Sequence, residues 1–195
     1  MLNFLIENAT VKEYKKDSII FNEYDTCDRI YILIKGHVTI KTSTHLEKEE
    51  TITVLNENEL FGDVLLFSSK PNYLGYAVCD TKATIGYITK RNLLNLLINN
   101  PIYLEKYLQQ ISDKGMEFKF QSKLLAHKNI RDRILYYLDY HKNKYNQTYI
   151  PSITKFSLIL ALPRPSVSRE LLKLEKENII SKHKQNNKYI FTILK

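Results

Sequence analysis

The chain has 195 residues, of which 44% are hydrophobic and 26% charged, with five glycines, five prolines and two cysteines. That is length for one large domain or two small ones, and the composition excludes a collagen-like, low-complexity or disordered chain. The net charge of +8 is uneven: residues 1–127 carry 15 Lys and Arg against 16 Asp and Glu, and residues 128–195 carry 14 against 5, the signature of a neutral module joined to one that meets a polyanion.

In chain order, residues 1–7 lack the basic start and long apolar stretch of an export signal. No apolar run reaches the ~18 residues of a membrane helix. Cys27 and Cys79 are too few for a disulfide framework, so reduced thiols and a cytoplasmic location are expected. Residues 18–89 then read as short strands between turn residues: 18–21, 29–34, 37–42, 51–55, 75–79 and 83–88. Regularly spaced short strands mean a sandwich or barrel. Gly36, between two of them, is expected at positive φ.

Helices begin near Lys90. Residues 91–99 carry leucines at helical spacing, and Pro101 opens the next helix as a first-turn residue. From 101 to 126 an apolar series recurs every seven positions, Leu104, Ile111, Phe118 and Leu125. A second series, Leu108, Gly115 and Ser122, lies four residues on. Such a seam serves either packing on the chain's own barrel or self-association, with Gly115 allowing close backbone approach. The expected organisation is therefore a barrel over 1–100, a dimerisation helix over 101–127 and a third module over 128–195.

That third module starts with a helix over 129–143, where Ile130, Ile134, Leu135, Leu138 and His141 mark one face. Residues 144–147 read as a loop. Ser152 or Thr154 can cap a short helix over 155–161. Leu162-Pro163 breaks it, and a second helix runs over 164–178 with Val167, Leu171, Leu174 and, more weakly, Leu172 inward. Two helices joined by a tight turn form a helix-turn-helix. Residues 179–184 and 188–193 flank Gln185-Asn186-Asn187 as a β-hairpin, a wing. An α-helix fits the DNA major groove, and its N-terminal side chains meet base edges. The candidate DNA contacts are thus Arg164, Ser166 and Arg169 at the helix front, Ser168 and Ser152 on phosphates, and Lys182, Lys184 and Lys188 on the wing.

The whole order resembles one family, the bacterial Crp/Fnr transcription regulators. Residues 31–38, Tyr-Ile-Leu-Ile-Lys-Gly-His-Val, resemble the family's strand, glycine turn and strand. Leu60-Phe61-Gly62-Asp63 with Phe67 resembles the segment around its short barrel helix. Residues 164–180, opening Arg-Pro-Ser-Val-Ser-Arg-Glu-Leu-Leu-Lys-Leu-Glu, resemble its recognition helix and wing entry. The resemblance implies an α+β fold with an N-terminal double-stranded β-helix (jelly-roll) barrel, a long dimerisation helix and a C-terminal winged helix-turn-helix. It implies a homodimer on an inverted-repeat DNA operator, with RNA polymerase as a further partner. Pro165 stands where the family often has a glutamate, so readout of that base pair must differ. Ala161 replaces a common turn glycine, which is tolerable if its φ stays negative.

Effector control is where the sequence departs from cyclic-nucleotide members. Gly62 and Asp63 fall at the family's ribose-gripping glycine-glutamate pair, with a carboxylate one methylene shorter. Tyr73 and Leu74 fall where an arginine and a serine hold the phosphate. No arginine lies between Arg29 and Arg91. A buried phosphate without a guanidinium is poorly compensated. The expectation is a regulator that cyclic AMP does not control, with a different small effector in a pocket of Gly62, Asp63, Tyr73 and Leu74, or with none. No cofactor and no metal site is expected. His37, His45, His127, His141 and His183 are scattered without metal-ligand spacing. The competing readings are a cupin-like barrel metalloenzyme, which would need clustered histidines, and a basic module that binds protein.

Overall fold

The computed structural model describes residues 1–43, 49–186 and 188–194. His45, and Asn187 of the expected wing turn, lie outside the described residues. The chain forms two compact units, Met1–Lys114 and Gly115–Lys195.

The first unit is built on two four-stranded antiparallel sheets. After helix α1 (Leu2–Glu7) come β1 (Thr10–Tyr14), β2 (Ile19–Phe21), β3 (Arg29–Lys35), β4 (Val38–Ser43), β5 (Glu49–Leu55), β6 (Glu59–Phe61), a short α2 (Asp63–Leu66), β7 (Tyr76–Cys79), β8 (Ala83–Thr89), α3 (Lys90–Ile98) and α4 (Pro101–Ala126). The sheets run β1-β8-β3-β6 and β2-β7-β4-β5. In β3, Ile30, Tyr31, Ile32 and Leu33 are all buried, because this strand is flanked on both edges and covered on both faces. Gly36 holds φ +103 between β3 and β4, and a Cβ there would sit 2.6 Å from the Lys82 carbonyl oxygen. No other residue type fits that turn without moving backbone. Thr89 caps α3, its hydroxyl accepting from the Asn92 N–H at 3.4 Å.

The second unit holds the rest of α4, then α5 (Ile130–Tyr140), β9 (Gln147–Ile150), α6 (Ile153–Ile159), α7 (Arg164–Lys176), β10 (Ile180–Gln185) and β11 (Lys188–Ile193). Its sheet runs β10-β11-β9, antiparallel throughout. One core joins every element: Phe120 and Leu124 from α4, Ile134 and Leu138 from α5, Phe156, Val167, Leu171 and Leu174 from α6 and α7, and Ile150, Ile180 and Phe191 from the sheet. Asn129 starts α5 reciprocally, accepting from the Asp132 N–H at 2.8 Å while donating to its carboxylate at 2.7 Å. Such a cap contributes about 1 kcal/mol.

The expected helices and the main strands are present within a few residues. Strands β1, β6 and β9, and helix α1, carry no clear sequence signal. All three strands lie at sheet edges, and β1 shows its side chains mostly to solvent. A strand that buries little imposes little hydrophobic pattern.

Candidate nucleic-acid interface

The helix pair is held together from within. Ser152 caps α6, its hydroxyl accepting from the Lys155 N–H at 3.1 Å. Phe156 and Leu160 are fully buried below it. The chain then turns through Ala161 at φ +49, against the expectation of a negative value. The turn is fixed by the Ala161 N–H on the Leu158 carbonyl and the Leu162 N–H on the Ser157 carbonyl, both at 3.0 Å. Those bonds need the left-handed conformation, so the alanine carries a backbone cost of roughly 1–2 kcal/mol. Pro163 ends the turn in extended conformation and α7 starts at Arg164 without a side-chain cap.

On α7, Val167, Leu171 and Leu174 are at most 1% exposed. Arg164, Ser168 and Arg169 are exposed and Ser166 is half-buried. Arg169 lies opposite the buried stripe, Ser166 and Ser168 flank it, and Arg164 is exposed at the first position of the helix. The Arg169 Nε donates to the Pro165 carbonyl at 3.3 Å. The carboxylates nearby are already taken. Arg131 of α5 pairs with Glu177 and reaches Glu170 at 3.9 Å, and Lys182 of β10 pairs with Glu175 at 3.2 Å. Arg131 thereby holds the Glu177 carboxyl below its usual range. Among the described residues Arg164, Arg169, Lys184 and Lys188 have no carboxylate partner, so the positive charge of this unit is left on its outside.

The hairpin register pairs Ile180 with Ile193, Lys182 with Phe191 and Lys184 with Tyr189. Lys182 and Lys184 therefore share the face whose base, Ile180 and Phe191, enters the core. Both ammonium groups lie 5.9 Å from the Tyr189 ring centroid. Lys184 and Lys188 are exposed. Lys182, expected on phosphate, is instead half-buried against Glu175.

Arg133 was not singled out by its position in the sequence. Its guanidinium donates to the carbonyls of Leu125, His127 and Leu160, at 3.2, 2.7 and 2.9 Å. One side chain so ties the ends of α4 and α6, using a charge that would otherwise count toward the basic surface.

The expected seam of α4 is largely open. Leu108, Phe118 and Leu125 are 56%, 62% and 48% exposed, Ser122 is exposed, and a Cβ on Gly115 would meet nothing within 4 Å. Leu104 and Ile111 are half-buried against the first unit's core. The buried positions of α4 are others, Tyr107, Phe120 and Leu124. The heptad count alone does not separate them from the open ones.

Of the proposed effector residues, Gly62, Asp63 and Tyr73 come together, a Cβ on Gly62 lying 3.6 Å from the Tyr73 hydroxyl, and Leu74 does not join them. Gly62 starts α2 at φ +75 and Asp63 is buried. The Asp63 carboxylate is bound by the Lys114 ammonium of α4, at 2.6 and 2.8 Å. Tyr73 is buried in an aromatic stack, its ring 3.7 Å from Phe21, while Tyr31 stacks on Phe61 at 5.1 Å. Leu74 is 71% exposed and lines no interior. The Tyr73 hydroxyl is the one buried side-chain polar atom without a hydrogen-bond partner among the described residues. Burial pushes the Tyr31 hydroxyl up to about 12 and raises the Cys27 thiol, which donates to the Gly62 carbonyl at 3.2 Å. Cys27 and Cys79 are both free and buried. The Tyr76 hydroxyl lies on the opposite flank, bonded to the Glu49 carboxylate. Among the described residues no group of three or more His, Cys, Asp and Glu side chains is placed to hold a metal, and no helix is long and apolar enough to cross a membrane.

Comparison with known proteins agrees with this architecture. Residues 11–100 match the family model of the cyclic nucleotide-binding domain. The cAMP-activated global transcriptional regulator CRP of Salmonella typhimurium is 22% identical over 189 residues, covering 93% of this chain and 90% of its own. Over nearly its whole length the chain is similar to regulators of the Crp/Fnr type. The global nitrogen regulator of Synechococcus elongatus is 25% identical over 129 residues, a match spanning 66% of this chain and 58% of that regulator. The catabolite activator protein of Thermus thermophilus shares the fold, with TM-score 0.57, 19% identity and coverage of 96% of this chain and 87% of its own. These relatives are transcription regulators rather than enzymes. Within this chain, three features were hidden from sequence reading: the Lys114 bond to Asp63, the Arg133 carbonyl ties and the left-handed Ala161. A lysine on a helix or an alanine in a turn has no local pattern that announces a partner dozens of residues away.

Proposed function

We propose that the protein is a homodimeric, sequence-specific DNA-binding transcription regulator, acting in the cytoplasm on an inverted-repeat operator without control by cyclic AMP. The observation that carries this reading is the uncovered front of α7. Among the described residues Arg164 and Arg169 of α7, and Lys184 and Lys188 of the hairpin, are exposed and have no carboxylate partner, while Glu170, Glu175 and Glu177 are paired with other cations. A guanidinium can bond guanine O6 and N7 in a bidentate fork, worth about 1–3 kcal/mol of discrimination. The wing lysines and the uncapped start of α7 suit phosphates. Ser152 can still donate to phosphate from its capping position, and Ser166 and Ser168 from the first two turns. Pro165 offers no acceptor to cytosine N4, so the half-site differs there from the usual family consensus.

The open seam supports dimerisation through Leu104, Leu108, Ile111, Gly115, Phe118, Ser122 and Leu125. A dimer would set two copies of α7 about 34–36 Å apart, in successive major grooves. RNA polymerase is the further partner such a regulator would meet. The missing cyclic-nucleotide control is supported by the filled barrel. The stacked rings of Phe21, Tyr31, Phe61 and Tyr73 occupy the interior, Asp63 is engaged by Lys114, and no arginine is available for a phosphate.

Selection of bound duplexes from random DNA tests the reading. The expected product is a palindrome whose affinity falls steeply with salt, because phosphate contacts release counterions. Recovery of no common sequence, or of single unpaired half-sites, would overturn it. Addition of cyclic AMP should leave both affinity and selected sequence unchanged.

A further inference from the structure

Asp63 is the only charged residue that is buried among the described residues of the whole chain, at 3% exposure. A carboxylate in that position must be compensated by a cation or by several donors. Its compensation comes from α4 alone. The Lys114 ammonium lies 2.8 and 2.6 Å from its two oxygens and 3.3 Å from the Leu60 carbonyl oxygen. The Gln110 amide reaches the carboxylate at 3.4 Å, and the Tyr107 hydroxyl donates to the Asp63 backbone carbonyl at 3.5 Å. Positions 107, 110 and 114 follow the i, i+3, i+7 spacing of one helix face. Lys114 is also the last residue of α4 that belongs to the first unit. Beyond it, Gly115 has open space around it.

We propose that the Lys114 ammonium is a built-in ligand of the barrel. Bound to the Asp63 carboxylate, it holds the first half of α4 in place with no small molecule, so the chain itself sets this helix. The regulatory meaning rests on α4 being the dimerisation helix of a DNA-binding protein. The latch itself does not depend on that reading.

The test is hydrogen exchange on the full chain, with DNA binding measured in parallel. In Lys114→Met and in Asp63→Asn, amides of residues 103–114 should exchange at least about tenfold faster, with residues 128–194 unchanged, because the opening is local. The double variant should exchange no faster than the faster single, since each change already breaks the same pair. Lys114→Ala should regain protection in ethylammonium chloride but not in sodium chloride of equal ionic strength. Unchanged exchange in Lys114→Met, single effects that multiply in the double variant, or equal rescue by both salts would overturn the proposal. If Lys114→Met does not fold, Asp63→Asn with the ethylammonium arm decides it. If the variants show these effects while the wild type binds no duplex selectively, the regulator reading falls and the latch stands.

Discussion

The two units dispose of their charges in opposite ways. The barrel takes Asp63 inside and satisfies it with Lys114, and it closes its interior with stacked aromatic rings. The second unit keeps its core entirely apolar apart from Thr148 and Ser157, and pairs Glu170, Glu175 and Glu177 at its surface with Arg131 and Lys182. Its remaining cations are left at the surface. In the first unit the buried carboxylate is already engaged by the chain's own lysine. A unit that neutralises its own acids outside presents a cationic face. The same chain thus separates an inward-looking module from an outward-looking one.

The largest effect that would sharpen this contrast is in the second core. Phe156 is fully buried among Phe191, Tyr137 and the α7 stripe. Phe156→Ala should cost about 3–5 kcal/mol. Differential scanning calorimetry should show the second unit melting early while the barrel transition stays. A single transition that moves as a whole would join what the comparison separates.

Alkali should act the other way. Burial raises the hydroxyls of Tyr31, Tyr73 and Tyr107 in the barrel, Tyr31 to about 12. A folded-state value above the unfolded 10 means stability is full below pH 10 and is lost as pH rises through 12. Tyrosinate absorbance and circular dichroism, followed together, should therefore show the barrel opening in that window as its buried tyrosines ionise. Buried tyrosines that ionise near pH 10 without loss of structure would contradict the closed interior.

Two smaller effects concern backbone and caps in the second unit. Ala161→Gly relieves the left-handed alanine and should raise stability by about 1 kcal/mol, seen as a higher denaturant midpoint at unchanged slope. Asn129→Ala removes the α5 cap and should lower it by roughly the same amount or less. A destabilising glycine at 161 would mean that the turn is not held at positive φ.

Legibility in the sequence followed the range of the forces involved. Helices α3, α4, α6 and α7 and the wing were readable because their patterns are local: leucines at helical spacing, Pro101 and Pro165 in first turns, and a short turn between β-branched runs. The α7 front was readable in part for the same reason, since Val167, Leu171 and Leu174 declare the buried side and leave Arg169 opposite, while Arg164 is exposed at the first position of the helix. Strand β1 was not readable because it is exposed along most of its length, and β6 and β9 because three and four residues are too short to show a pattern. The Asp63 partner was not readable either. Lys114 is 51 positions away, and only the packed barrel brings it in. The Glu175 partner of Lys182 was not readable, because only the fold brings the wing lysine to the end of α7.

The central claim is that the uncovered guanidinium front of α7 reads DNA sequence. The most direct measurement is fluorescence anisotropy of the full chain on its selected palindrome and on a scrambled duplex of equal length and salt, for wild type and Arg169→Ala. The account predicts selectivity on the order of 10³-fold or more in the wild type. In Arg169→Ala it predicts a loss of roughly 5–150-fold on the palindrome, with little change on scrambled DNA. Equal affinity for both duplexes in the wild type, or the same preference kept in Arg169→Ala, would contradict it.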